Sequence, residues 1–152
     1  MKKNDLYIIS GTEYKEMTKE ILAQSDLWAE IKKKGRSEAK RCRSDADRNK
    51  AEPGIATEAS YGATTHPEIV AGIIEYLQER SCQHIVMLES SWVGDKTSES
   101  AEVCGYLDLC RQYGVPFVDT QKDSFHVRDC KGLELNLCDG AAGLIFSLMC
   151  RC

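Results

Sequence analysis

Residues 65–90, THPEIVAGIIEYLQERSCQHIVMLES, contain the pattern that decides the fold. Thr65 and Glu68 have the spacing of a capping box, and Pro67 suits a first helical turn because its missing N–H would have no partner there. Apolar residues then recur on one face for several turns, which predicts an amphipathic helix. The continuous apolar run that follows, His84–Ser90, is typical of a strand buried on both faces of a parallel sheet.

The alternation of helix and strand continues downstream. Ser98–Tyr113 has helical periodicity, and Gly114 with the proline two residues later supplies its stop signal. Val115–Asp119 predicts a second short strand, and a ribbon that turns at Lys131 and Gly132 follows it. The predicted strands of this ribbon are Phe125–Arg128 and Leu133–Leu137.

The pattern upstream is less regular. Asp5–Ser10 (DLYIIS) predicts a first strand, and Tyr14–Trp28 predicts an amphipathic helix. Nine of the twenty Lys and Arg then fall between Lys32 and Lys50, and apolar residues almost vanish, so we expect an irregular basic insertion over residues 32–57. The whole pattern predicts an α/β fold, an incomplete layered domain with a mostly parallel sheet flanked by helices.

Length and composition limit the remaining possibilities. With 152 residues, 42% of them hydrophobic and 29% charged, the chain fits one domain over residues 1–152 and is too apolar for wholesale disorder. Its net charge of -4 gives no general indication of nucleic-acid binding. No stretch approaches the roughly 20 apolar residues of a membrane span, and no signal-peptide pattern occurs. We therefore expect a cytoplasmic protein without membrane attachment.

The eight cysteines are many for this length. Without a secretory signal they are expected to be reduced thiols rather than a disulfide framework. No CxxC pair occurs, and the CxC formed by Cys150 and Cys152 is a weak metal signal. Because no four-ligand spacing is present, we expect no iron–sulfur cluster and no other cofactor in this chain.

Two sets of polar residues are candidates for a ligand site. Ligands of parallel sheets bind outside the carboxyl ends of the strands, which here carry Glu89 and, less prominently, Asp119. Thr64, Thr65 and His66 precede a helix N-terminus, where N–H groups and the helix dipole favour an anion. The alternative is that these residues only cap the helix. Phosphate-loop, dinucleotide and hydrolase motifs are absent from the sequence, so it names no reaction.

The basic run supports a second hypothesis of a different class. Residues 32–50 would form the arm of a small module that binds nucleic acid or another anion. The run has no interleaved aromatic residues and contains Glu38, Asp45 and Asp47, which weakens the nucleic-acid interpretation. Salt-dependent binding would support this hypothesis, and absence of binding at low salt would exclude it.

Three segments together resemble one family. They are YGATTHPEIVAGIIEYLQER (61–80), HIVMLESSWVGDKTSES (84–100) and VCGYLDLCRQYGVPFVDTQKD (103–123). Their order is similar to that of the family catalogued as domain of unknown function 362, some members of which carry four-iron ferredoxin modules. The resemblance implies redox- or metal-associated relatives, with any 4Fe–4S cluster in the ferredoxin module, and leaves open whether they are enzymes. It also implies a strand-end site, whose matching positions here are Thr64, Thr65, His66 and Glu89.

Two strands of the family pattern are missing from this sequence. One, I-x-I-K-P-N-L-V, precedes TTHPE, and the other is an acidic and apolar strand ending V-P-V, with a lysine and a histidine after it. Synonymous codons for Asp47–Gly54, read one base later, can encode IGIKPNLV. Codons for Leu144–Cys152, read from the third base, can encode DFLINVPV. The resemblance therefore implies a truncated chain whose frame is shifted within about residues 32–55 and again after Asp139.

Such a chain would lack several charged groups of the family pattern. We therefore expect no catalytic turnover and only an unknown small molecule or anion as ligand. A parallel sheet that loses a strand has unpaired edges, so we also expect marginal stability and self-association through those edges. We expect the folded, well-ordered part of the chain to extend from about residue 60 to residue 137.

Overall fold

The computed structural model describes residues 6–37, 64–82, 84–90, 96–142 and 144. Within these ranges the chain forms six helices and four strands. The helices are α1 (Tyr14–Gln24), α2 (Leu27–Ser37), α3 (Pro67–Gln78), α4 (Thr97–Val103), α5 (Tyr106–Tyr113) and α6 (Asp139–Ala142). The strands are β1 (Met87–Glu89), β2 (Phe117–Asp119), β3 (Phe125–Cys130) and β4 (Leu133–Cys138). The mixed α/β class predicted from the sequence is therefore confirmed.

Helix α1 crosses α3 at Gly72. A side-chain carbon at this position would lie 2.6 Å from the Lys15 carbonyl oxygen and 2.8 Å from Thr18 Cβ. Only a residue without a side chain lets the two backbones approach so closely. Thr18 is buried at this crossing, and its hydroxyl donates a hydrogen bond of 2.7 Å to the Tyr14 carbonyl.

Three apolar clusters form the core, and α3 contributes to each of them. The first joins α3 to α5 and to Val115, which precedes β2. The second joins α3 to α2, and the third packs α4 and α5 against both parallel strands. Their buried members are Ala71, Ile74, Leu109 and Val115; Leu27, Tyr76 and Leu77; and Ala101, Cys104 and Tyr106. Each large apolar side chain buried in this way contributes about 1.5–3 kcal/mol, so α3 is the element on which the described fold depends most.

The strands form two separate pairs. β1 and β2 are parallel, with Met87 opposite Phe117 and Glu89 opposite Asp119. β3 and β4 are antiparallel and turn at Lys131 and Gly132, whose φ angles of 59° and 87° suit a two-residue hairpin turn. The predicted ribbon is thus confirmed. The predicted mostly parallel sheet is corrected, because the described part holds only two parallel strands and an equal number of antiparallel ones.

The first parallel strand is shorter and more exposed than predicted. His84–Ser90 was expected to be buried on both faces, but only Met87–Glu89 is a strand, with Met87 and Leu88 half-buried. In the described part β1 has one neighbouring strand, so pairing extends no further than the three residues of β2. The strand predicted at Asp5–Ser10 is not formed over residues 6–10. These pair with no described strand, and both Leu6 and Ile8 are 81% exposed.

Two predicted helices are each divided by a residue in the left-handed conformation. Tyr14–Trp28 is interrupted at Asp26, whose φ is 50°, and α2 then extends to Ser37 into the predicted basic insertion. Ser98–Tyr113 is interrupted at Gly105, with φ 76°, because a glycine adopts this conformation without steric cost. Helical periodicity continues across both breaks, so periodicity alone could not reveal them. The rest of the predicted insertion, 38–57, and residues 91–95 lie outside the described residues.

Candidate functional site

The carboxyl ends of the two parallel strands form the edge at which a ligand site was predicted. Glu89 and Asp119 are the last residues of β1 and β2, and they are directly opposite each other in the register. Thr120 follows Asp119, and both its N–H and its hydroxyl donate to the Glu89 carbonyl, at 3.0 and 3.1 Å. The two acidic residues are therefore held on adjacent strands by backbone pairing.

Helix α3 begins at the same edge. Leu77, near its end, packs with Ile85, whereas Val70, near its start, packs in a cluster with Met87. The helix therefore runs antiparallel to β1, as expected in a layered α/β unit. The residues before α3 and the carboxyl end of β1 consequently lie toward one edge of the sheet.

Glu89 has few partners among the residues that the structure describes. Its side chain is exposed, and Oε1 accepts a hydrogen bond of 2.9 Å from the N–H of the adjacent Ser90. It makes no ion pair with any residue that the structure describes. Because its side chain is exposed, this carboxylate is accessible to a ligand.

Asp119 is the more enclosed of the two carboxylates. Its side chain is 10% exposed, Oδ1 accepts from the Gln121 N–H at 3.0 Å, and Lys122 Nζ lies 3.3 Å from Oδ2. Burial raises the pKa of Asp119, but the Gln121 N–H together with Thr97 and Lys122 outweighs burial, so the pKa lies below its usual value. Asp119 is thus an ionised anchor for the turn after β2, a position that the sequence ranked below Glu89.

His66 is the N-cap of α3, which corrects the capping box predicted for Thr65 and Glu68. Its Nδ1 accepts the Glu68 N–H at 3.4 Å, and its carbonyl accepts the Ile69 N–H at 2.9 Å. Because Pro67 has no N–H, these two bonds engage the donors of the first residues of the helix. An acceptor role at Nδ1 places the proton of neutral His66 on Nε2, which leaves one imidazole donor for a ligand.

The residues around His66 are fixed by aromatic and hydroxyl contacts. The His66 ring lies 4.8 Å from the Tyr14 ring, centroid to centroid, at an interplanar angle of 34°. The Tyr106 hydroxyl donates 2.5 Å to the Thr65 carbonyl, and Cys104 Sγ lies 3.8 Å from the Thr64 hydroxyl. The break at Gly105 therefore lets the start of α5 hold the segment that precedes α3.

The four residues singled out from the sequence thus fall into two groups. Thr64, Thr65 and His66 lie together against α1 and the junction of α4 and α5, whereas Glu89 lies beside Asp119. Both groups face the same edge, but none of the contacts described above joins one group to the other.

A further polar group beside this edge was not identified from the sequence. Asp139 accepts the Ser124 hydroxyl at 2.5 Å and lies 3.0 Å from His126 Nδ1, and these contacts lower its pKa. The Gly140 N–H donates 2.6 Å to Asp123, while a side-chain carbon at Gly140 would meet strand residue Val118 at 3.0 Å. The sequence did contain a signal for this group. A two-residue turn at 131–132 implies a strand register that places residue 139 beside residue 124.

Metal-binding geometry is not found among the described residues, where no three His, Cys, Asp or Glu side chains are grouped to hold an ion. The five described cysteines are not paired with one another. Cys104 and Cys110 are buried. Burial raises the pKa of Cys110, so its thiol loses a proton less readily than an exposed thiol does. Cys150 and Cys152 lie outside the described residues. No described helix has the length and apolar composition needed to cross a membrane.

Two cavities occur elsewhere on the described surface. One, of about 450 Å³, lies near the amino ends of the parallel strands and is lined by Cys82, Ile85 and Gly114–Pro116 among others. The other, of about 300 Å³, lies between α1, α3 and α5 beside Lys15 and Tyr113. Neither is lined by Glu89 or Asp119.

Comparison with protein-family models gives one finding. The model described as domain of unknown function (DUF362) matches residues 50–141, which is more than half of the chain. Comparison with curated proteins and with solved structures gives no match.

Proposed function

The chain belongs to the DUF362 family, and we propose that it is a member with an incomplete ligand site, able to hold a small anion weakly but not to catalyse a reaction. The observation that carries this proposal is the arrangement at the carboxyl edge of β1 and β2. Two acidic residues stand side by side there, and the start of α3 faces the same edge. Ligands of α/β sheets bind at such an edge.

The charges at this edge support the proposal that the ligand site is incomplete. Two adjacent carboxylates need a cation or a basic partner to bind an anionic substrate or to stabilise developing charge. The described lysines nearby are already engaged, Lys122 with Asp119 at 3.3 Å and Lys96 with Glu99 at 2.6 Å. The family pattern would supply a lysine and an asparagine in the order K-P-N on the strand before TTHPE, whereas Asn49 and Lys50 of this sequence do not stand in that order.

The end of the family match supports a shift of frame after Asp139. The match ends at residue 141, two residues beyond Asp139, whereas its start at residue 50 falls inside the first segment whose frame would be shifted. These limits fall near the two places where the sequence departs from the family pattern. We propose that both departures come from out-of-frame translation, and that intact relatives carry the redox or iron–sulfur function.

His66 is the group through which a small anion would bind. Its Nδ1 is engaged by the Glu68 N–H, so Nε2–H is the donor that remains, at the positive end of the α3 dipole. The same cap engages the backbone donors of the first turn, which predicts weak binding, with a Kd on the order of millimolar, about -4 kcal/mol.

A titration of the ¹⁵N-labelled full chain with inorganic phosphate, followed by amide chemical shifts, tests this proposal. We expect shifts centred on residues 64–69, and at least threefold weaker binding in His66→Asn, because asparagine keeps the cap but removes the imidazole. Lys131→Asn is the matched control: it removes a cation from the ribbon turn, where asparagine tolerates the positive φ, and should leave binding unchanged. Phosphate-induced chemical-shift changes that are the same in His66→Asn as in the original chain would refute this assignment. Changes centred on residues 32–50 would also refute it and would favour binding by the basic segment.

A further inference from the structure

We draw no further inference here: the strongest candidate, the exposed apolar patch of Phe125 and Val127 on the β3–β4 ribbon beside Asp129 and Glu134, carries nothing because the described part of the structure does not show what covers it.

Discussion

The helical side of the molecule and its sheet side differ in how completely their groups are paired. On the helical side, Glu75 of α3 accepts the Tyr113 hydroxyl at 2.6 Å and ion-pairs with Lys15 and Lys19 at 3.1 and 3.4 Å. One carboxylate thus ties α1 and α5 to α3. On the sheet side, the described parallel pair consists of three residues in each strand, and Glu89 at its end has no ion-pair partner among the described residues.

The difference is the one that the proposed shift of frame would produce. Helices satisfy their backbone groups internally, so a helical layer survives the loss of a neighbouring segment. A parallel sheet depends on adjacent strands for its backbone hydrogen bonds and for cover on both faces. A shift of frame that replaces strands would therefore leave the α1–α3–α5 packing in place and would damage the sheet and its carboxyl edge.

Restoring the strand that we propose to be missing should have the largest effect. Replacing Asp47–Gly54 with IGIKPNLV adds apolar side chains worth about 1.5–3 kcal/mol each when buried, offset in part by ordering of the segment. We expect a net gain of roughly 2–4 kcal/mol in the free energy of unfolding, less self-association in sedimentation, and tighter phosphate binding through the new lysine.

The matched control for this variant is a scrambled octapeptide of the same composition at the same position. It should leave stability, association and phosphate affinity as they are in the original chain. If the scrambled and ordered octapeptides behave alike, the sheet side is not missing a specific strand.

Gly72→Ala tests the helical side directly. The added carbon would meet the Lys15 carbonyl oxygen and Thr18 Cβ at 2.6 and 2.8 Å, so α1 must move away from α3. We expect a loss of about 1–3 kcal/mol in urea unfolding, even though alanine favours helix over glycine by about 1 kcal/mol.

Gly114→Ala is the control for this substitution, because nothing lies within 4 Å of its added carbon and only its φ of 65° is unfavourable. It should cost about 1–2 kcal/mol from backbone strain alone. A stabilising effect of Gly72→Ala would show that α1 does not pack against α3 as described.

Glu75→Gln should have a smaller, pH-dependent effect. The Tyr113 hydroxyl, followed by Lys15, lowers the pKa of Glu75 below its ordinary 4.5. The ionised carboxylate therefore contributes stability that is present above pH 4.5 and is lost as the pH falls through the lowered pKa. We expect the variant to be less stable by about 1–2 kcal/mol at pH 7, with a difference that shrinks in acid.

Chemical denaturation at several pH values measures this difference. Glu99→Gln, which breaks an exposed pair with Lys96, is the control and should leave the free energy of unfolding unchanged within error at every pH. If the loss of stability in Glu75→Gln stays constant below pH 4, the contacts of Glu75 with Tyr113 and the two lysines do not depend on the ionised carboxylate.

Local signals in the sequence predicted a substantial part of this arrangement. Pro67 and the following apolar period place α3, Gly114 ends α5, and Lys131 with Gly132 turns the ribbon, since each of these features acts within a few residues. The adjacency of Glu89 and Asp119 also follows, because parallel strands that are neighbours end at one edge.

What the sequence did not predict depends on packing between distant elements. His66 rather than Thr65 caps α3, where its ring lies in tilted contact with the ring of Tyr14 of α1. The close approach at Gly72 depends on where α1 crosses, and the length of β1 depends on its single described neighbour. None of these is set by the spacing of residues within one element.

The nucleotide sequence of the encoding gene decides whether the reading frame is shifted. We expect the codons of Asp47–Gly54, read one base later, to encode a strand of the form I-x-I-K-P-N-L-V, and those of Leu144–Cys152, read from the third base, to encode one ending V-P-V. Codons that give unrelated residues or stop signals in these shifted frames would contradict it, and the basic segment would then be a genuine part of this domain.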